Sequence, residues 1–308
     1  MFYCNLLANV KMVQSKTCMT QRPETKTDYQ ASIMRVMLLI QARLDAPPSL
    51  DEVAAVAAFS PYHFHRLFTA YTGESLSAFV RRLRLERAAN RLRQTFDAIT
   101  EIALDAGYET PANFSKAFKQ QFGQSPSAYR EENHLLDTAV FQQTRTQEPP
   151  KMTPKIVNLE PQTVLFVRKT GPYSEASAAA FAALMPFAYR HKLIHPSTQM
   201  IGISHDSPDI TDPDKLRYDA CLTLDQAVEP QGEFGVQTIA GGRYALFVHK
   251  GAYELFDETY RLVFGQWLAH SGEQLRDAPI FERYLNRDPR RTKPENLRTE
   301  IYIPLSDA

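Results

Sequence analysis

About thirty residues of this chain are written twice, the copies some fifty positions apart. The first copy runs from Leu50 to Val80 and the second from Ile99 to Arg130. Glu52 aligns with Glu101, Ala54 with Ala103, Ala57 with Ala106 and Phe59 with Tyr108. After a one-residue insertion, Phe64 aligns with Phe114, Arg66 with Lys116, Phe68 with Phe118, Gly73 with Gly123, Ser75 with Ser125 and Phe79 with Tyr129. The chain must therefore build one supersecondary unit twice. Each copy reads as two helices joined by a tight turn, a helix-turn-helix, whose first helix lies across a nucleic-acid backbone while the second enters the major groove. The small residues Ala54, Ala57, Ala103 and Ala106 let the paired helices approach, and Ala58 and Gly107 occupy the turn, where a positive φ or little room is needed.

The predicted groove helix of copy one is Pro61 to Tyr71. Phe64, Leu67, Phe68 and Tyr71 have the spacing of a core stripe, leaving Tyr62, His63, His65, Arg66 and Thr69 outward. In copy two, Pro111 to Phe122, the inward set is Phe114, Ala117, Phe118 and Gln121. Thr110, Ala112, Asn113, Ser115, Lys116 and Lys119 then meet the nucleic acid. Arginine reads guanine, asparagine reads adenine, and lysine or serine holds phosphate. The chain balances 35 basic against 35 acidic residues, yet ten basic residues face six acids between Arg66 and Arg130. A basic module joined to a slightly acidic one fits a nucleic-acid-binding domain with a separate partner domain. Arg66 has an intramolecular salt bridge as its alternative, and at least half the arginines from Arg81 to Arg93 read as a solvated helix face. Asp97 or Thr100 is expected to cap the second unit. His63 and His65 point to different faces and make no metal pair.

A chain of 308 residues accommodates two domains. Residues 1–27 read as a disordered leader without signal-peptide character, with Met12, Met19 and Met34 as rival starts. A helical domain spans 28–135. It opens with a helix from Asp28 to Arg43 that buries Ile33, Val36, Met37, Ile40 and Leu44 and stops before Pro47 and Pro48. Ser49 is placed to cap the next helix, and Leu76 to Thr95 is a long arginine-rich helix joining the copies. Residues 136–152, rich in Gln, Thr and Pro, read as a linker. Short alternating strands with helices between them fill 153–308. Cys4, Cys18 and Cys221 make neither a disulfide framework nor a zinc pattern, which suits a reducing cytoplasm. No apolar run reaches the roughly 18 residues a spanning helix needs, and no membrane partner is expected.

Copy two, with Ile99, Ile102, Ala103, Gly107, Tyr108, Phe114, Phe118, Lys119, Gly123, Ser125, Pro126, Tyr129 and Arg130, resembles the signature of the AraC/XylS family of transcription regulators over residues 30–132. The resemblance implies two helix-turn-helix units joined by a long helix and reading adjacent major-groove segments. By position, Tyr62, His65 and Arg66 match the family's first reading helix, and Ala112, Asn113, Ser115 and Lys116 the second. His65, Pro111 and Ala112 stand where some relatives carry Gln, so no operator sequence carries over. Because the copies differ, the expected duplex site is asymmetric and a monomer suffices. RNA polymerase is a further expected partner.

The C-terminal domain is also written twice. Leu165 to Tyr173 is echoed by Leu246 to Tyr253, Thr170 being the insertion, and each copy leads into an amphipathic helix, Glu175 to His191 and Glu254 to His270. Two such strand-helix repeats predict an α+β domain with pseudo-twofold symmetry and a cleft between its halves. Over residues 153–306 the chain resembles the GyrI-like (SOUL-type) effector-binding domain. That resemblance implies a small cationic or aromatic effector held by a buried glutamate, Glu282 of the F-E-x-Y motif, with Tyr218, Tyr253, Trp267 and Tyr284 as companions. A cation would neutralise an acid that is costly to bury, and aromatic faces would add attraction. Against this, Glu282 pairing with an internal base or facing water, and Trp267 as helix core, stay open. His191 and His195 lack a carboxylate motif for zinc, and Gly241 to Arg243 precedes a strand rather than a phosphate-binding helix. No catalytic residue, metal or cofactor is assigned, and an enzyme is not expected. The alternatives are a hydrolase using Glu282 as general base and a protein-interaction module.

Overall fold

The computed structural model describes residues 23–133, 153–229, 231–286 and 288–307. The predicted linker, Cys4, Cys18 and the first part of the predicted leader lie outside the described residues. Helix α1 spans Pro23–Ala42, so the last residues assigned to the leader are helical. Proline suits a first helical position, whose N–H has no partner within the helix. Ile33, Val36, Met37 and Ile40 are buried as their periodicity predicts, while Met34 and Leu38 turn to a different neighbour.

The helical domain continues with α2 Leu50–Ala57, α3 Pro61–Thr72, α4 Leu76–Gln94, α5 Ile99–Asp105, α6 Pro111–Phe122 and α7 Pro126–Asn133. Val53, Ala54, Phe64, Phe68 and Phe79 form one core with α1; Ile102, Ala103, Phe114, Phe118 and Tyr129 form another. Helix α4 serves both. Leu76, Val80 and Leu83 enter the first core, and Leu85, Ala89 and Leu92 the second. One rigid helix therefore fixes the spacing between the two units.

After Lys155 the chain forms one antiparallel sheet: β1 Lys155–Leu159, β2 Gln162–Thr170, β3 Met200–Ser204, β4 Arg217–Thr223, β5 Phe234–Ile239, β6 Gly242–Lys250, β7 Ile280–Tyr284 and β8 Arg298–Pro304. Their order is β1-β6-β8-β7-β3-β4-β2-β5. Helix α8, Tyr173–Arg190, follows β2, and α9, Phe256–Leu262, follows β6. The single helix expected from Glu254 to His270 is instead interrupted. A 3₁₀ turn, Tyr253–Leu255, precedes α9, and wider π-type turns, Val263–Leu268, follow it. Gly265 lies inside those turns, where a regular helix is weakened.

Side chains alternate between the faces of a sheet. On the front, Leu165, Val167, Tyr218, Ala220 and Leu222 pack beneath α8, and Ala245, Phe247, Ile301 and Ile303 pack beneath Tyr260, Val263 and Phe264. On the back, Phe166, Ile201, Ile203, Cys221, Phe281 and Tyr302 pack with Met34 and Leu38 of α1. The sheet is thus a layer between its own helices and the helical domain. No described helix is long and apolar enough to cross a membrane.

Candidate nucleic-acid interface and ligand cleft

The two helix-turn-helix units share a local grammar. Ser60 caps α3 by accepting from the His63 N–H, Pro61 takes the first position, and Gly73 closes the helix in the left-handed region at φ 76°. Thr110, Pro111 and Gly123, at φ 79°, repeat this for α6. Tyr62, His65 and Arg66 stand exposed on α3, Tyr62 at 72%. Arg66 Nη1 donates to the Tyr62 hydroxyl at 3.0 Å, so its partner is a neighbour on the same face and not an acid. Ala112, Asn113, Lys116 and Lys119 are exposed on α6, and Ser115 is half-buried. Three expectations are corrected. Tyr71, predicted inward, is 47% exposed. Gln121 is exposed while Phe122 packs 4.5 Å from Phe118, because the inner stripe continues at four-residue spacing. Thr69, predicted outward, is half-buried.

Five of the six arginines from Arg81 to Arg93 are tethers and not a solvated face. Arg82 binds Glu74 at 2.6 Å and Glu86 at 3.1 Å. Arg84 donates to the carbonyls of Leu44 and Asp45. Arg87 pairs with Asp45 and Asp277, Arg91 with Asp97 at 2.6 Å and Asp105 at 2.5 Å, and Arg93 with Asp209 at 2.8 Å. Arg81 is exposed. Asp97 is accordingly an ion-pair partner: α5 opens on Ala98 without a side-chain cap.

A cleft of 2360 Å³ runs between α4, α8, the turn at residues 204–209, α9 and β7. Glu282 lies in its wall at 3% exposure. The Tyr260 hydroxyl donates to Glu282 Oε1 at 2.5 Å, whereas Oε2 is buried without a hydrogen-bond partner. Burial pushes this carboxyl up to about 7, with the Tyr260 bond and a backbone contact opposing. Glu282 is opposite Gly202 in the sheet register, and beside them the Tyr218 and Tyr284 hydroxyls meet at 2.8 Å. Gly202 makes that meeting possible, since a Cβ there would stand 2.7 Å from the Tyr284 oxygen. Burial raises both phenols, which stay protonated. Tyr253 and Phe181 set their rings edge-on to Tyr284, at 5.4 and 5.7 Å.

The structure thus brings Glu282, Tyr218, Tyr253 and Tyr284 together and leaves Trp267 out. Trp267 packs edge-on against Phe247 at 5.1 Å, away from the residues lining the cleft. Trp267 lies within the π-type turns, whose wider pitch rotates its position off the aromatic stripe of α9. Tyr260, Tyr173 and Gly202 escaped the sequence reading. Tyr253, Phe256, Tyr260 and Phe264 recur at three- and four-residue spacing, a signal that marks Tyr260 as a wall residue. An unpaired acid among aromatic rings, with two hydroxyls at hand, can hold a cation or a hydrogen-bond donor.

Comparison with known proteins agrees with both halves. Residues 53–132 match a helix-turn-helix domain model, and residues 152–306 match the GyrI-like small molecule binding domain. The right origin-binding protein of Escherichia coli is 29% identical over 285 residues, covering 90% of this chain and 99% of that protein. The transcriptional regulator Rob of Salmonella typhimurium is 28% identical over the same shares. The regulatory protein SoxS of Escherichia coli is 35% identical over 102 residues, 33% of this chain and 95% of its own length. Paired reading helices on a basic domain, backed by a sheet domain with a cleft, define a two-domain DNA-binding transcription regulator. Within that class the chain belongs to the AraC-type helix-turn-helix family and is a Rob-type regulator carrying a GyrI-like domain.

Proposed function

We propose that the chain reads an asymmetric duplex site as a monomer and responds to a small cationic or aromatic molecule. Tyr62, His65 and Arg66 of α3 take one major-groove segment; Ala112, Asn113, Ser115, Lys116 and Lys119 of α6 take the next. Glu282 binds the effector's positive or donor group among Tyr218, Tyr253, Tyr260 and Tyr284. The observation that carries the ligand half is the buried, unpartnered Oε2 of Glu282, since a lone buried acceptor costs about 1–3 kcal/mol until something pairs with it. The mirrored strand order outward from the β7–β3 junction supports two pseudo-symmetric halves with this cleft between them. Bound to its operator in the cytoplasm, the regulator acts on RNA polymerase.

Arg66→Ala and Lys116→Ala should each weaken binding to a site selected from random DNA by about 5- to 100-fold. Unchanged affinity at moderate salt would place the DNA contacts elsewhere. For the cleft, a benzyl-dimethyl-alkylammonium ion is a suitable probe. Its affinity should rise as pH climbs from about 6 to about 8, because the Glu282 carboxyl ionises near 7, and Glu282→Gln should flatten that rise. Stability runs the other way. The folded carboxyl holds its proton above its ordinary 4.5, so the native state loses stability as pH rises from there to about 7. The loss is on the order of 3 kcal/mol, and Glu282→Gln should remove it in denaturant melts.

An acid titrating near 7 beside Tyr260 also suits a general base. Turnover of an ester probe by the full chain, abolished in Glu282→Gln, would move the assignment to catalysis.

A further inference from the structure

The wall of the cleft and the end of the first reading helix are joined by a series of polar side chains. We propose that this series transmits the state of the cleft to the DNA-binding units, with Glu86 as the member that exchanges partners. The proposal rests on the reading of the cleft as a ligand site.

The series begins at Tyr173, which lines the cleft and sets its ring 6.1 Å from that of Tyr218. Its hydroxyl donates to the Asp206 carbonyl at 2.6 Å and accepts from the Asp206 N–H at 2.9 Å, so the ring cannot shift without the Asp206 backbone. The Asp206 carboxylate holds Arg217 through Nε at 2.9 Å and Nη2 at 2.5 Å. Strand alternation makes Arg217 the hinge between faces. Its neighbour Tyr218 points into the cleft, while Arg217 itself looks toward the helical domain.

There Glu86 of α4 lies within electrostatic reach of it. Burial pushes the Glu86 carboxyl up, with Arg82 and Arg217 pulling it back; Glu86 is bonded to Arg82, while Arg217 Nη1 is buried with no hydrogen-bond partner. The Arg217 side chain is only 8% exposed and that of Glu86 7%, so neither finds water readily. Arg82 in turn grips Glu74, in the short segment between α3 and α4. The charged groups around Glu86 are thus Arg82 on its own helix and Arg217 and Asp206 across the interface.

Two arrangements compete. In the one observed, Glu86 shares Arg82 with Glu74. In the other, Glu86 turns to the vacant Nη1 of Arg217, and Arg82 is left to Glu74 alone. A ligand that displaces the Tyr173 or Tyr218 rings moves Asp206 and Arg217, and so biases the choice. The domains need not separate for this. Arg93 to Asp209, Arg87 to Asp277 and Gln41 to Arg168 hold them together independently.

The test is a double-mutant cycle in the full chain, with affinity for a site selected from random DNA as the readout. Tyr173→Phe cuts the series at the cleft and should change Kd by about threefold or more, an effect that vanishes in a Glu86→Gln background. No effect of Tyr173→Phe, or the same effect in both backgrounds, overturns the relay. Should Glu86→Gln fail to fold, Glu74→Gln cuts the same series at its far end and the same criterion applies. The cycle uses no ligand. Failure of the benzyl-dimethyl-alkylammonium probe to bind would therefore refute the cleft assignment while leaving the cycle to decide the relay.

Discussion

The first helix-turn-helix unit secures its own start, whereas the second is secured by the helix that links them. In the first, Ser49 Oγ accepts from the Glu52 N–H at 3.2 Å, and the Glu52 carboxylate accepts from the Ser49 N–H at 2.8 Å. This capping box satisfies two orphan donors within four residues. The second unit opens on uncapped Ala98. Arg91 clamps Asp97 and Asp105, at either end of α5, and Arg130 donates to the Asp97 carbonyl at 2.6 Å. A seven-residue helix is far too short to persist alone, so tertiary ion pairs supply what the cap does not. The turns differ in the same sense. Ala58 adopts φ 60° and is exposed, while Gly107, at φ 80°, lies against the Arg84 guanidinium. The opening helix of each unit is thus held differently, by a local cap in one copy and by ion pairs in the other. Arg91 of α4 serves structure for that reason.

This contrast can be broken in three places. Gly107→Ala forces a side chain into the left-handed region and to 2.7 Å from Arg84 Cζ, and should cost about 2 kcal/mol in denaturant melts. The damage should appear as faster amide exchange in α5 and α6, with α2 and α3 unaffected. Equal exchange in both units would show that α4 does not hold them differently. Ser49→Ala should cost about 1 kcal/mol and loosen the first unit selectively, whereas Thr100→Ala in the second should be near neutral. Smallest is Ala58→Gly, which relieves a left-handed alanine and should raise stability by about 0.5 kcal/mol. A loss there would mean that the Cβ of Ala58 packs in a way its φ angle does not reveal.

The same contrast explains what was legible in the sequence. Ser60-Pro61 to Gly73 and Thr110-Pro111 to Gly123 are start and stop signals that act within one helix, and both reading helices lie where those residues put them. Glu282, Tyr218, Tyr253 and Tyr284, which the GyrI-like resemblance pointed to, do share one cleft: Glu282 and Tyr284 lie on the same face of β7, and the Tyr284 ring and hydroxyl meet Tyr253 and Tyr218. The partners of Arg84, Arg87 and Arg93 were not legible, for their acceptors lie from 18 to 190 residues away and in part on another domain. Gly202 was equally silent. Its role depends on two tyrosines from neighbouring strands converging over one missing methyl group. Trp267 sits off the expected wall because it lies within the π-type turns, which break regular helical pitch.

Met34 and Leu38 have a bearing on how this molecule can be cut. They face away from the core of their own domain and fill the hollow behind the sheet. An excised DNA-binding half would present both side chains to water, and an excised sheet domain would bare Phe166, Ile201 and Phe281. A protein engineer shortening this chain toward its DNA-binding half would first have to make those two α1 positions polar. Anyone transplanting the sheet domain would have to bring α1 along as its rear wall.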